Sequence, residues 1–310
     1  MRKLAFLILL LSMKSHGLCP DSAKNESPSD CPWAEITREI LEPAKKCEGV
    51  LKKRTPYILK QLKMDLNSPE AISLWGTAKN FDDNAKATIV DLKILNCLTE
   101  KLNLKSSIQQ QAGFETIHAG VQHTYAYLFS NLMTPYGYKR ARWTKDDLQK
   151  GLGLSPLLLT PQTKHGAFLT NVTYLFAKFA FKDDAALLKK LENKSLAPEL
   201  LKFKAETFEV KNVKETIAEK NFVLHTTFVK LLPGNTATTN THLLIYWIEN
   251  TTTHSKSLIT GFPVEQSFVD KAFDPKNMGP NRPISLRYNV WVNEVSDSKT
   301  TLTGLREVIN

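Results

Sequence analysis

Asn221-Phe-Val-Leu-His-Thr-Thr-Phe-Val-Lys-Leu-Leu232 and, after a short gap, His242-Leu-Leu-Ile-Tyr-Trp-Ile-Glu249 are runs of β-branched, aromatic and aliphatic side chains with little helical spacing. Such residues suit a pleated surface on which neighbours face opposite sides. Thr207 to Val213, Lys256 to Phe262 and Ile284 to Val295 repeat the pattern. The intervening stretches carry turn chemistry: Pro233-Gly234-Asn235, Asn250 to Ser255 and Asp274 to Pro283. Most of these gaps are too short for a crossover helix, so the strands are expected to run as an antiparallel meander.

Before Lys204 the apolar side chains recur every three or four residues instead. Trp33, Ile36, Ile40, Ala44, Cys47 and Leu51 form one such stripe, and Val90, Ile94, Cys97, Leu98 and Leu102 form another. The spacing predicts amphipathic helices, the first of them kinked at Pro43. Phe114, Ile117, Val121, Tyr125, Leu128 and Leu132 hold the spacing longest, which predicts the strongest helix over residues 107–133. Thr144-Lys145-Asp146-Asp147 reads as the capped start of a short helix, and residues 166–181 and 184–203 read as two more. The expected fold is α+β: a helical N-terminal two-thirds over residues 31–203, followed by a C-terminal mainly antiparallel β-sheet over residues 204–310 packed on it.

Met1-Arg2-Lys3 precedes an unbroken apolar run from Leu4 to Leu11, with small residues at Ser15 and Gly17. This is the layout of a signal peptide over residues 1–17, cleaved near Gly17, and it predicts a secreted or periplasmic mature chain. The run is shorter than the roughly 20 apolar residues a membrane span needs, and no later stretch supplies one, so no transmembrane segment is expected. Residues 18–30 are polar and read as an N-terminal arm tethered by a disulfide. Cys19, Cys31, Cys47 and Cys97 are an even set in an exported chain, which predicts two disulfides. On one helix from 32 to 52, Cys31 and Cys47 would stand about 24 Å apart, against the roughly 7 Å a disulfide allows. The favoured pairing is therefore Cys19–Cys31 with Cys47–Cys97.

The 41 Lys and Arg against 31 Asp and Glu give a formal charge of +10. A basic surface favours an anionic partner, here an acidic protein, a glycan or a lipid surface. Nucleic acid is not expected, because the chain is exported and shows no nucleic-acid-binding motif. A G-x-S-x-G elbow, an H-E-x-x-H helix, an EF-hand loop, a phosphate-cradling glycine loop and paired close cysteines are all missing, so neither metal nor cofactor is expected. Nothing in the pattern sets an oligomeric state.

Two clusters remain as candidate sites. On a helix, Glu115, His118 and Gln122 would project as one strip, because Glu115 and Gln122 lie about 60° and 40° from His118. A Glu and a His so placed can act as base and orienter in a hydrolytic centre, whereas His123, about 140° from His118, cannot join them. The second cluster is Tyr136, Tyr138, Lys139, Arg140, Arg142 and Trp143, where forked guanidinium groups and aromatic faces can grip an oxyanion or a sugar. A further basic stretch, Lys45, Lys46, Lys52, Lys53, Arg54, Lys60 and Lys63, contains one acid, Glu48. His225 and His242 lie within apolar runs and read as structural histidines. Asn171-Val-Thr and Asn250-Thr-Thr match the glycosylation sequon, and the second falls in a turn. Together these features predict a secreted, non-enzymatic interaction protein or effector that binds an anionic partner through the 136–143 loop and nearby basic helices. A secreted hydrolase centred on Glu115 and His118 is the alternative.

Overall fold

The computed structural model describes residues 32–309 apart from 83–84, 105–107, 112, 135–136, 141–167, 193–195, 197–199, 202–207, 218–221, 232–241, 265, 274–289, 294–298 and 303–306. The expected signal peptide, the 18–30 arm, the Cys19–Cys31 bond and the short helix at Thr144 all lie outside the described residues.

Proline punctuates the first helices. Helix α1, Pro32–Leu41, starts on a proline, whose missing N–H costs nothing in a first turn, and buries Trp33, Ile36 and Ile40. Pro43 then ends it, and the chain restarts as α2, Cys47–Arg54, so the expected stripe is divided between two helices. Thr55 turns α2 into α3, Pro56–Asp65, again entered on a proline, and a short α4, Pro69–Ser73, follows. Helix α5, Leu92–Lys101, is capped by Asp91, whose side chain accepts from the Lys93 backbone N–H. Cys47 of α2 and Cys97 of α5 are disulfide-bonded, with Cα atoms 6.2 Å apart. The bond closes a loop with a sequence separation of 50. Its reduction should cost about 3 kcal/mol of stability by releasing that loop in the unfolded chain. Urea titrations with and without reductant measure the difference, and coincident midpoints would show that the bond contributes nothing.

The expected division into a helical first part and a later sheet is not what the chain forms; helices and strands are mixed along it. Between α4 and α5 lie β1, Thr77–Lys79, and the hairpin of β2, Phe81–Asp82, with β3, Ala87–Thr88. Beyond α5 come β4, Gln109–Gln111, and β5, Phe114–His118, where the strongest helix was expected. Among the described residues there, Ala119–His123 alone forms an α-helix, α6, followed by a 3-10 turn over Ala126–Phe129. Gly113 explains part of this, since its φ of +80° breaks a helical path just before Phe114. The apolar residues at 114, 117 and 121 are satisfied by a strand that runs into a short helix. Phe114 meets Phe81 with ring centroids 4.7 Å apart, while Ile117 and Val121 enter the core.

After the small hairpin of β6, Met133–Thr134, and β7, Gly137–Tyr138, the chain reaches α7, Phe168–Ala180, and α8, Ala185–Leu191. Long strands follow: β8, Phe208–Ile217; β9, Phe222–Leu231; β10, His242–Asn250; and β11, Lys256–Val264. After helix α9, Gln266–Phe273, come β12, Val290–Asn293, β13, Lys299–Leu302, and β14, Glu307–Ile309. One sheet has the order β11-β10-β9-β8-β14 and the other β13-β12-β1-β5-β4, with antiparallel neighbours throughout. The late strands β12 and β13 therefore join the sheet of the first half, with Thr77 opposite Trp291.

The stretch Leu74–Lys79 ties the two sheets together. Trp75 makes a parallel bridge to Leu258 of β11, where Gly76 N donates to Leu258 O at 2.9 Å and Leu258 N donates to Leu74 O at 2.7 Å. Two residues later the same stretch is β1 of the other sheet. Helix α7 covers this junction. Trp75 Nε1 donates to Thr173 Oγ1 at 2.7 Å, and Phe181 meets Trp247 edge-on at 4.8 Å. Gly261 lies directly under the Phe176 ring of α7, so that an added Cβ would overlap the ring carbons. Gly261→Ala should therefore lower stability by about 2 kcal/mol through overpacking, read as a lower melting temperature. An unchanged melting temperature would mean that helix and sheet are not in contact at this point.

Among the described residues, no helix is long and apolar enough to cross a membrane.

Candidate functional site

Because β5 is a strand, Glu115 and His118 stand on opposite faces of it and share no centre. His118 Nδ1 accepts the Val121 N–H at 3.3 Å, which leaves the proton on Nε2, 2.9 Å from the Ile72 carbonyl. Both ring nitrogens are thus used to fix the start of α6 and the end of α4. Gln122 turns inward and donates to Lys79 O at 3.1 Å. The expected Glu115, His118 and Gln122 strip is replaced by two structural side chains and one separate carboxylate.

Burial pulls His118 from the ordinary histidine value of 6.5 to about 4, with the bond to Ile72 acting the other way. A histidine lowered in this way contributes stability that is complete above pH 6.5 and is lost as pH falls towards 4. Unfolding free energy should fall over that interval, and His118→Gln should flatten the fall. An equally steep fall in the variant would take His118 out of the acid response.

Glu115 lines a groove of about 550 Å³ together with Thr37, Leu41, Asp91, Phe129 and Asn131. The groove adjoins part of the aromatic-basic loop, because Arg140 Nη1 donates to Asn131 Oδ1 and to Ser130 O, each at 3.3 Å. Tyr136, Arg142 and Trp143 lie outside the described residues. Tyr138 lies under the Arg140 guanidinium at 3.9 Å. Arg140 is itself only 2% exposed, and Lys139 is 8% exposed with its Nζ 2.7 Å from Asp82 Oδ2. These two cations of the expected binding loop are therefore directed into the protein, where they hold its own oxygens.

A run of outward-facing cations lies on α2, on α3 and just ahead of them. Lys45, Lys46, Lys52, Lys53, Lys60 and Lys63 are all exposed. Arg54 is tied to Glu35 and Glu39 of α1 at 3.0 and 2.9 Å, and Glu48 to Lys101 at 2.7 Å. The Lys101 contact holds the Glu48 carboxyl below the usual glutamate value. Helix amphipathicity explains the arrangement: Val50, Leu51, Ile58 and Leu62 point into the core, which leaves the lysines the outer face. The disulfide fixes that face to α5 through Cys47.

A buried polar hub escaped the sequence analysis altogether. The Asp65 carboxylate, at the end of α3, accepts from Tyr125 Oη at 2.6 Å, Leu169 N at 3.2 Å, Thr170 N at 2.9 Å and Thr170 Oγ1 at 2.7 Å. It thus caps α7 from a distant part of the chain, and no local signal in Lys63-Met64-Asp65 announces it.

In the other sheet, His225 stacks on Trp247 with centroids 3.5 Å apart, and Asn212 Nδ2 donates to His225 Nδ1 at 2.9 Å. Burial holds His225 below the ordinary histidine value against the opposing charge of Glu249, whose carboxylate is 3.4 Å away. His242 is buried opposite Lys230 and Val264. The two sequon asparagines are buried as well. Asn171 lies inside α7, and Asn250, at the start of the turn, has its Oδ1 accepting from the N–H groups of Thr252 and Thr253. Among the described residues, no group of three or more His, Cys, Asp or Glu side chains is placed to hold a metal ion.

No protein family matches the chain, and no match is found among curated proteins or solved structures.

Proposed function

We propose that the protein works outside the cytoplasm as a non-enzymatic interaction protein, an effector that binds an anionic partner through the exposed lysines around α2 and α3. The observation that carries this reading is the concentration of six outward lysines between residues 45 and 63, where the one acid, Glu48, is engaged by Lys101. Such a face attracts polyanions by releasing their counterions and by long-range steering, both of which weaken with salt. Export, indicated by the N-terminal sequence, fits the disulfide between Cys47 and Cys97.

The test is retention on an immobilised sulfated polysaccharide as salt is raised. Wild-type protein should elute late, and Lys52→Glu with Lys53→Glu should elute markedly earlier while keeping its disulfide and circular dichroism. Equal elution of the two proteins would remove this face from the binding. Arg140→Ala is expected to behave differently: as a buried group it should reduce stability by about 2 kcal/mol and leave the elution position of the folded protein unchanged.

A further inference from the structure

Among the described residues, the carboxylates withdrawn from solvent are each answered by a partner, with one exception. Glu39 is held by Arg54, Asp65 by its four donors, Asp82 by Lys139, Asp184 by the Leu187 N–H and Lys256, and Glu249 by His225 and His254. The half-buried Glu115 carboxylate has neither a hydrogen bond nor an ion pair among the described residues. Strand alternation puts it on the same face of β5 as the fully buried Ile117, where that face passes out of the core and becomes the wall of the 550 Å³ groove. A carboxylate partly removed from water and left without a partner is a cost to the fold, which a ligand supplying the missing donor would relieve.

The rest of the groove is apolar and comes from separate elements: Leu41 at the end of α1, Val90 after β3, Leu92 at the start of α5, Phe129 in the 3-10 turn and Leu132 beyond it. Leu41 is 37% exposed and Leu92 36% exposed, so apolar surface is open to an occupant. The other polar groups are largely engaged. Thr37 Oγ1 donates to the Trp33 and Phe129 carbonyls, Asn131 Oδ1 accepts from Arg140, and Asp91 Oδ1 accepts from the Lys93 N–H. Glu115 is therefore the anchor that the groove offers. No Lys, Arg or His is among the described residues that line it, in a chain whose formal charge is +10. An anion would find no charge to meet it here, and a neutral molecule would leave Glu115 uncompensated. The volume of about 550 Å³ lies within the roughly 300–1,000 Å³ of small-molecule sites, whose usual lining is likewise apolar with a few polar groups.

We propose that this groove binds a small amphiphilic cation, an alkyl or aryl body carrying a primary ammonium or guanidinium group, with Glu115 taking the charged end and Leu41, Leu92, Phe129 and Leu132 the apolar one. A protonated amine donates to a carboxylate in a charge-assisted bond, roughly twice as strong as a neutral one. The described lining of the groove shares no residue with α2 or α3, so this site and the lysine face stand or fall separately.

The experiment is isothermal titration of the disulfide-bonded protein at neutral pH with n-octylammonium and with n-octanol, a neutral match of equal chain length. Octylammonium should bind on the order of tenfold more tightly than octanol. Glu115→Gln should bring octylammonium down to the affinity of octanol and leave octanol unchanged; having lost only an unpartnered charge, the variant should melt no lower than wild type. Leu41→Ser with Leu92→Ser should weaken both ligands several-fold, because the apolar body is common to them. Circular dichroism and an intact disulfide verify the fold of each variant. Lys52→Glu with Lys53→Glu should leave octylammonium binding unchanged, which separates this site from the lysine face. Failure of either ligand to bind, equal affinity for the two, or octylammonium binding that survives Glu115→Gln would overturn the assignment. An apolar peptide with a central lysine that bound more tightly than octylammonium, and through Glu115, would make the occupant a protein segment and overturn the small-ligand proposal.

Discussion

Asp65→Ala should lower the unfolding free energy by about 5 kcal/mol, because it leaves four buried donors without an acceptor and uncaps α7. Those donors are the Tyr125 hydroxyl, the Thr170 hydroxyl and the N–H groups of Leu169 and Thr170. Each such loss carries about 1–3 kcal/mol, and the four act on one carboxylate. Equilibrium urea unfolding measures it; a loss below about 1 kcal/mol would show that the hub does not hold α3 to α7. The carboxylate also pays for its burial, which raises it from 3.8 to about 6 despite the four hydrogen bonds. A carboxyl raised on folding favours the folded state most when protonated, so its contribution is largest below pH 3.8 and declines as pH rises through about 6. Asp65→Asn, which removes the titration, should therefore cost more stability below that interval than above it. The histidines titrate alike in both proteins and cancel from this comparison.

Lys139→Ala should cost about 4 kcal/mol, close to the Asp65 effect and by a different route. The Asp82 carboxylate is nearly as inaccessible as Lys139, and its Oδ1 also accepts the Ala85 N–H at 2.9 Å to shape the β2–β3 turn. Removing the ammonium takes away the opposite charge that sits 2.7 Å from the buried Asp82 carboxylate. Lys139→Met with Asp82→Asn should recover most of the loss, since a neutral pair of similar size carries no uncompensated charge. An exposed binding loop would respond otherwise, with a loss under about 1 kcal/mol, so denaturation of these two variants decides whether Lys139 is a structural cation.

Particular segments show where sequence is informative and where it is not. The runs that become β9 and β10 are strands rich in β-branched, aromatic and aliphatic side chains, and β10 is buried on both faces from His242 to Ile248. That composition is a local property and can be read without knowing what lies on either side. Residues 107–133 carry helical spacing, yet tertiary pairing prevails: β5 completes a sheet with β1, and Gly113 supplies the positive φ that lets the chain enter it. Spacing of three and four is also produced by a strand running into a short helix, so the pattern does not separate the two. Lys139 and Arg140 look like surface cations because their partners, Asp82, Ser130 and Asn131, become neighbours only after folding. Asp65 is illegible for the same reason, since its partners on α7 are 105 residues along the chain. The exposed lysines of α2 and α3 are legible because amphipathicity is itself a local pattern.

The stretch Leu74–Lys79 has a consequence for the timing of folding. Its first residues pair with Leu258 and its next with Trp291, so both sheets are completed by segments synthesised long after it. Until those segments arrive, the edge of β1 that later takes β12 lacks its strand, and the early helices are held by each other, by the disulfide and by the small sheet β1 forms with β5 and β4. Closing such distant loops is slow because their entropy is lost before the contacts form. A refolding experiment should accordingly show helical signal arising early and Trp75 burial arriving in the last, slowest phase, when the far end of the chain locks onto its beginning.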